Sequence, residues 1–208
     1  MVGEGVLHEC LLDPQVEEVL IINRKAGGIT HPKLKEIIHQ DFLDISAIED
    51  QLTGYNACFF CLGVSSVGMT QEDYYRLTYT LTIHIAEILS RLNKDMTICY
   101  VSGAGTDSTE KGRAMWARVK GKTENDLMKL PFKKVYAFRP GFIKATKGLK
   151  RTYKYYKYIG WLYPILRHIF PGTACTLKEV GRAMIHSVTR GYAKPLIEVK
   201  DIIALAKD

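Results

Sequence analysis

The stretch AMWARVKGKTE, residues 114 to 124, holds the side chains of this sequence best suited to chemistry. Read as a helix, it sets Trp116 and Lys120 one turn apart on the same face, with Arg113 and Arg118 close by. A lysine one turn after an aromatic residue can be half of a proton-transfer site. The same pattern also describes a solvated helix face with a tryptophan packed beneath it. An indole N–H donates a hydrogen bond but is neither acid nor base near neutral pH, so proton transfer here would need a partner other than Trp116. Hydroxyls stand nearby in YVSGAGTDS, at Ser102 and Ser108. Cys58 and Cys61 form a C-x-x-C, yet ACFFCLG reads as a buried strand. Residues three apart on a strand point to opposite faces, which favours core cysteines over a metal or redox pair.

These residues need a scaffold, and the composition bounds it. The chain has 208 residues, 47% hydrophobic and 25% charged, enough for one domain with a full core. No apolar run reaches the ~18 to 20 residues of a membrane-spanning helix. The first residues lack the basic flank and apolar stretch of a signal peptide. Five scattered cysteines with no export signal imply reduced thiols and a cytoplasmic location. The net charge of +7 is uneven. From Leu127 to Lys178 there are twelve Lys or Arg and no Asp or Glu, so the rest of the chain is net negative.

Short β-branched or aromatic runs alternate with helical stretches. VEEVLIIN (16–23), LKEIIHQDF (34–42), NACFFCLG (56–63), MTICYVSG and KVYAFRPG read as strands, and a short helix, SAIEDQL, follows the second. TQEDYYRLTYTLTIHIAEILSRL (70–92) reads as a long amphipathic helix capped by Thr70. TLKEVGRAMIHSVTRG (176–191) reads as a last helix ending at Gly191, and PLIEV as a last short strand. This alternation predicts an α/β fold: a parallel sheet with helices on both faces.

Gly3 opening a helix, Arg24 after the second strand of such a fold, CLG after the fourth, YVSG after the fifth, V-K in the next helix and FRPG after the sixth together resemble the short-chain dehydrogenase/reductase superfamily. The likeness is to its atypical, extended branch of NAD(P)-binding, epimerase-like proteins, including the Tat-interacting protein group. It implies a Rossmann-type sheet with a small C-terminal lobe over residues 143–175. The resemblance implies a strand and the first glycines of G-x-x-G-x-x-G ahead of Met1, with Gly3 as the last glycine. The expectation is that residues preceding Met1 have been lost, because the alternative leaves a strand without its neighbour and its backbone groups unpaired.

The resemblance also implies the site. Gly3 would belong to the turn that brings backbone N–H groups against a pyrophosphate. Arg24 in INRK, with Lys25 and no acid, suits a 2′-phosphate, so the implied cofactor is NADP in preference to NAD. Asp41 and Phe42 match adenine contacts, although Asp41 could equally cap the following helix. Leu62 and Gly63 would let the backbone approach the cofactor, as would Pro140 and Gly141 beside the nicotinamide. Relatives use a serine, a tyrosine and a lysine, the tyrosine four residues before the lysine. Lys120 occupies the lysine position as ribose contact and catalytic residue, but Trp116 replaces the tyrosine. Ser102, the candidate serine, lies one place before the usual position, Gly103. A substitute acid could come from Tyr74, Tyr75 or Tyr79.

Two functions remain open: an NADP-linked oxidoreductase or epimerase acting on a small molecule, and a catalytically impaired NADP-binding sensor or interaction protein. KATKGLKRTYKYYKYIGWLYPILRHIFPG (144–172) falls where relatives place their substrate lobe. Its six positive charges from Lys144 to Lys157 precede an apolar stretch, which suits a lid, a peripheral contact of residues 144–170 with an anionic membrane, or a plain packed surface. No nucleic-acid motif accompanies the charge, so no nucleic-acid partner is expected. A homodimer through paired long helices is a further expectation.

Overall fold

The computed structural model describes residues 1–146 and 172–207. Most of the 143–175 lobe, and with it the lid and membrane-contact expectations for 144–170, lies outside the described residues. The chain begins with α1 (Val2–Leu12), then β1 (Val19–Asn23), β2 (Leu34–Ile38), a 3₁₀ turn (Ser46–Leu52) and β3 (Ala57–Phe60). A long helix follows in three parts: α2 (Gln71–Tyr75), a π turn (Arg76–Thr80) and α3 (Leu81–Leu92). Then come β4 (Thr97–Val101), α4 (Met115–Leu127), β5 (Lys134–Arg139) and β6 (Phe142–Lys144). After the undescribed stretch come β7 (Ala174–Thr176), α5 (Leu177–Thr189), β8 (Leu196–Glu198) and α6 (Val199–Leu205).

Every described strand pair is parallel. The main sheet runs β3-β4-β5-β8, while β1-β2 and β6-β7 form separate pairs. Strand β4 shows why TICYV is apolar throughout. Cys99 enters a core with α1, α5 and α6 on one side of the sheet. Ile98 and Tyr100 enter a second core with the 3₁₀ turn, α3 and Leu127 on the other. A strand covered on both faces has no side left for polar residues.

Element boundaries depart from expectation where side chains capture backbone. The strand expected over 34–42 stops at Ile38, because His39 Nε2 donates to the carbonyls of Asp41 (2.7 Å) and Asp44 (2.6 Å). Asp41 also takes the Leu43 N–H at 2.8 Å, folding the chain into a turn. The expected cap of the long helix is present: Thr70 Oγ1 accepts from Asp73 N at 3.1 Å. The helix expected to be the last, α5, carries a full capping box between Thr176 and Glu179, and α6 follows it beyond β8.

Helix α1 crosses α5 at very short range. A Cβ placed on Gly5 would lie 2.1 Å from Leu177 Cγ, and Leu177 is fully buried. A methyl group cannot enter without moving that leucine. Gly5→Ala should therefore cost about 1–3 kcal/mol by overpacking and Leu177→Ala about 2–5 kcal/mol by cavity formation. In the double variant the new methyl partly fills the vacated space. Urea denaturation of the four proteins should then give a combined loss smaller than the sum of the two, and strict additivity would refute the contact.

Candidate functional site

The carboxyl ends of the strands carry the candidate residues, and pairing between β4 and β5 continues beyond the strands themselves. Ser102 N donates to Phe138 O at 2.8 Å and Ala104 N to Pro140 O at 2.9 Å. These bonds lock the Ser102–Gly103 turn against Pro140–Gly141. Gly141 has a steric reason to be glycine, since a Cβ there would lie 2.2 Å from the Thr173 carbonyl oxygen.

The loop from Gly103 to Ala114 is fastened onto α4. Asp107 accepts from Thr109 N (3.0 Å), Thr109 Oγ1 (2.6 Å) and Gly112 N (2.6 Å), and these bonds, Thr109 foremost, hold its carboxyl below the usual range. The Asp107 N–H donates to Ala117 O at 3.1 Å. A Cβ on Gly121 would sit 1.8 Å from the Asp107 carbonyl oxygen, so glycine alone permits this approach. Arg118 is no free surface charge: it donates to the carbonyls of Gly112 (2.8 Å) and Arg113 (2.9 Å) and to Gln71 (3.1 Å). The Trp116 ring is half-buried and reaches to 3.5 Å from the Cβ position of Gly105, so it packs over the loop.

Lys120 points at the strand end. Its Nζ donates to the carbonyls of Ser102 (3.0 Å) and Val101 (3.4 Å) and stands 5.5 Å from the centre of the Tyr100 ring. Burial lowers its pKa to about 8, against a partial opposing pull from Glu124. Glu124, one turn further along α4, is fully buried. It accepts from Arg139 Nε at 3.0 Å, from Arg139 Nη2 and from the Ser102 hydroxyl. Arg139 also reaches Ser108 Oγ at 2.6 Å and Glu198 at 3.2 Å. Ser102 thus turns its hydroxyl proton inward to Glu124, tying the turn after β4 to α4, and what it keeps for a ligand is its capacity to accept a hydrogen bond.

The substitute acids are also placed. Tyr74 is 1% exposed. Tyr75 and Tyr79 stack at 4.6 Å, and the Tyr79 hydroxyl donates to Asp126 at 2.8 Å. Burial first, then that carboxylate, pushes Tyr79 up to about 12, which leaves it a poor proton donor near neutrality.

The remaining candidates line the other part of the edge. A cleft of about 1270 Å³ between β1 and β3 is lined by Gly3, Phe42, Leu62 and Gly63, among others. Gly3 brings the first turn of α1 to 3.3 Å, measured from its Cβ position, from Cys61 Cβ at the end of β3. A Cβ on Gly63 would meet nothing within 4 Å. Phe42 is half-buried on the second core and meets His39 edge-on at 6.2 Å. Asp41 is exposed, with Oδ1 engaged by Leu43 N. Arg24 is exposed, its carbonyl accepting from Gln40 at 2.6 Å and its guanidinium without a carboxylate partner among the described residues. Glu36, on the neighbouring strand, accepts from Asn23 (2.7 Å) and Gly27 N (2.9 Å) through Oε1. An edge with an exposed arginine, open glycine backbone and a lysine held on strand-end carbonyls fits an anionic dinucleotide better than a neutral ligand. Glu124 and Glu36 were the residues that sequence reasoning missed. Glu124 stands four after Lys120, the only local signal it offered.

No family model matches the chain. It is 25% identical over 161 residues to the mitochondrial protein fmp52 of Emericella nidulans, covering 73% of this chain and 66% of that protein. To the mitochondrial protein fmp52-1 of Aspergillus oryzae it is 24% identical over 156 residues, covering 73% and 65%. The chain thus spans just under two thirds of these relatives' length. Both are named as mitochondrial, which overturns the cytoplasmic location expected from the cysteines: reduced thiols report a reducing compartment, and an export signal is not the only route out of the cytoplasm. Among solved structures, Helicobacter pylori ADP-L-glycero-D-manno-heptose-6-epimerase superposes with a TM-score of 0.67 at 12% identity, covering 100% of this chain and 77% of that one. Bordetella bronchiseptica WbmG in complex with NAD gives 0.67 at 14%, covering 99% and 74%. A UDP-galactose 4-epimerase gives 0.65 at 12%, covering 98% and 78%. With parallel strands, helices on both faces and these neighbours, the chain carries a Rossmann-type α/β fold like that of these epimerase structures.

Proposed function

We propose that this chain binds a nicotinamide dinucleotide along the carboxyl edge of its strands, as an oxidoreductase- or epimerase-like protein for a small molecule, with NADP preferred to NAD and a mitochondrial location. The observation that carries the reading is Lys120, whose ammonium is held on the carbonyls of Val101 and Ser102 at the strand end. From there it donates to the hydroxyls of a ribose. Arg24, exposed after β1 with Glu36 already engaged, is the cation for a 2′-phosphate. Gly3, Leu62 and Gly63 leave the backbone open beside the diphosphate. Two structural neighbours that are epimerases, and an enzyme solved in complex with NAD, support the cofactor class. The cofactor when bound supplies or accepts a hydride.

A second reading is favoured by one observation: the residue one turn before Lys120 is Trp116, packed over Gly105. With Ser102 committed to Glu124 and Tyr79 to Asp126, no hydroxyl among these takes the usual proton-donor role. On this reading the protein keeps the dinucleotide and has lost the ordinary reduction, and it acts as an NADP-responsive binding protein.

Fluorescence titration decides the first step. NADPH should bind saturably, and Arg24→Ala should weaken NADPH about 10–100-fold while leaving NADH nearly unchanged, the cost of one charge-assisted phosphate contact. Equal losses for both nucleotides would remove Arg24 from the site. Lys120 should titrate near pH 8 in a ¹³C-dimethyl-lysine NMR experiment. Its ammonium is present below that pH, so nucleotide affinity should fall as pH rises through about 8. Because Glu124 raises this pKa, Glu124→Gln should move the midpoint lower still. Trp116→Tyr restores a phenol next to Lys120 and should raise NADPH-dependent carbonyl reduction by about 10²-fold or more. No gain, in a variant that still binds NADPH, would exclude the view that Trp116 alone disables the site.

A further inference from the structure

The turn that carries Arg24 is fastened at both ends to one carboxylate oxygen. Glu36, on β2, accepts from Asn23 Nδ2 at 2.7 Å and from Gly27 N at 2.9 Å, and both donors meet Oε1. Two further bonds tie the start of the same turn to the chain after β2. His39 N donates to Asn23 O at 2.9 Å, and Gln40 Nε2 to Arg24 O at 2.6 Å. Residue 27 has to be small for this grip to close, since a Cβ on Gly27 would lie 3.2 Å from the same carboxylate oxygen. Between the two anchors stand Arg24, Lys25 and Ala26, all exposed, with two cations and no acid among them. Without anchors such a turn would sample many conformations, each placing the guanidinium elsewhere. Here the backbone on either side of the cations is set before any ligand arrives.

We infer that Glu36 is a positioning residue for recognition of a phosphate monoester: it holds the 23–27 turn in the shape that presents Arg24 and Lys25 together to the 2′-phosphate of the dinucleotide. The inference rests on the cofactor reading above and supplies the reason that the turn can discriminate between nucleotides. Glu36 acts through Asn23 and Gly27, without touching the ligand. Its charge works against this role. A carboxylate on the strand beside the cations repels a phosphate anion, so on electrostatics alone the position would be better neutral. What Glu36 contributes is preorganisation, because the freedom of the turn is removed on folding instead of on binding. A neutral acceptor of the same shape would do this without the repulsion. Glutamine is such a replacement: its side-chain oxygen can accept both N–H groups while the charge is gone. The two effects of Glu36 therefore differ in sign and can be separated.

The test measures NADPH and NADH affinities by nucleotide fluorescence in the full chain, in Glu36→Ala and in Glu36→Gln. Backbone ¹⁵N relaxation of residues 24–27 is read in the same proteins without nucleotide. Glu36→Ala should weaken NADPH about tenfold and leave NADH within about twofold, the loss expected when a short turn must be ordered on binding. Order parameters of the Lys25 and Ala26 amides should fall from about 0.85 to below about 0.6. Glu36→Gln should keep the rigid turn and bind NADPH at least as tightly as the parent. Tighter NADPH binding by Glu36→Ala would overturn the inference, leaving Glu36 as nothing but a repelling charge. So would an equal weakening of both nucleotides, the mark of a general structural role, or a Glu36→Gln variant that behaves as Glu36→Ala does. The cofactor reading is judged separately, on the parent and Arg24→Ala. Saturable NADPH binding that Arg24→Ala weakens selectively, with Glu36→Ala unchanged, sinks only the role of Glu36. A parent chain that does not bind NADPH removes both.

Discussion

Glu124 and Arg139 meet where α4 crosses the end of β5, and the carboxyl edge is organised around that contact. The carboxylate is fully buried and the guanidinium nearly so, at 8% exposure. Neither charge could sit there alone, because removing one partner of a buried pair typically costs about 3–5 kcal/mol. Together they satisfy each other and recruit the hydroxyls of Ser102 and Ser108. One ion pair thus joins the helix that carries Lys120, the turn that follows β4 and the loop that lies beneath Trp116. Hydrogen bonding to Glu124 holds Arg139 even more firmly protonated than an ordinary guanidinium.

That arrangement also explains how Lys120 comes to be chemically distinctive. The strand-end carbonyls and the Tyr100 ring accept its ammonium, but burial penalises the charge by more than these contacts return, and the pKa drops to about 8. Glu124 lies one turn away and pulls the other way, but by less than burial, so the shift stays downward. A lysine this close to neutrality responds to small changes in what binds beside it. The opening pattern of tryptophan and lysine on one face is therefore neither a complete proton-transfer pair nor a solvated surface. The lysine is engaged with the strand ends, and the tryptophan covers the loop that Gly121 lets in.

Fold class was legible in the sequence because parallel strands buried on both faces are written as continuous apolar runs, and TICYV and ACFF are such runs. Thr70 announced its helix through a capping pattern that acts within three residues, and Thr176 uses the same pattern with Glu179. Boundaries set by side chains reaching over longer spans were not legible. Nothing in LKEIIHQDF says that His39 will fold back onto two carbonyls and end the strand at Ile38. Ser102 illustrates the same limit at the site. Its position after a strand resembles a catalytic serine, and only the apposition of residues 102, 124 and 139 shows where its proton goes. Arg139 was in view as part of FRPG, but its partner lies fifteen residues earlier on a different element.

The cleft between β1 and β3 opens onto the same carboxyl edge. Its carboxyl mouth is lined by Gly3, Leu62 and Gly63, where the first turn of α1 comes to 3.3 Å, measured from the Cβ position of Gly3, from Cys61 Cβ at the end of β3. A glycine at that crossing lets the helix start lie directly against the strand end, so the residues proposed for the diphosphate are held by backbone packing and not by charge. Cys58 and Cys61 sit along this seam as thiols that burial keeps protonated, which suits packing better than redox or metal chemistry.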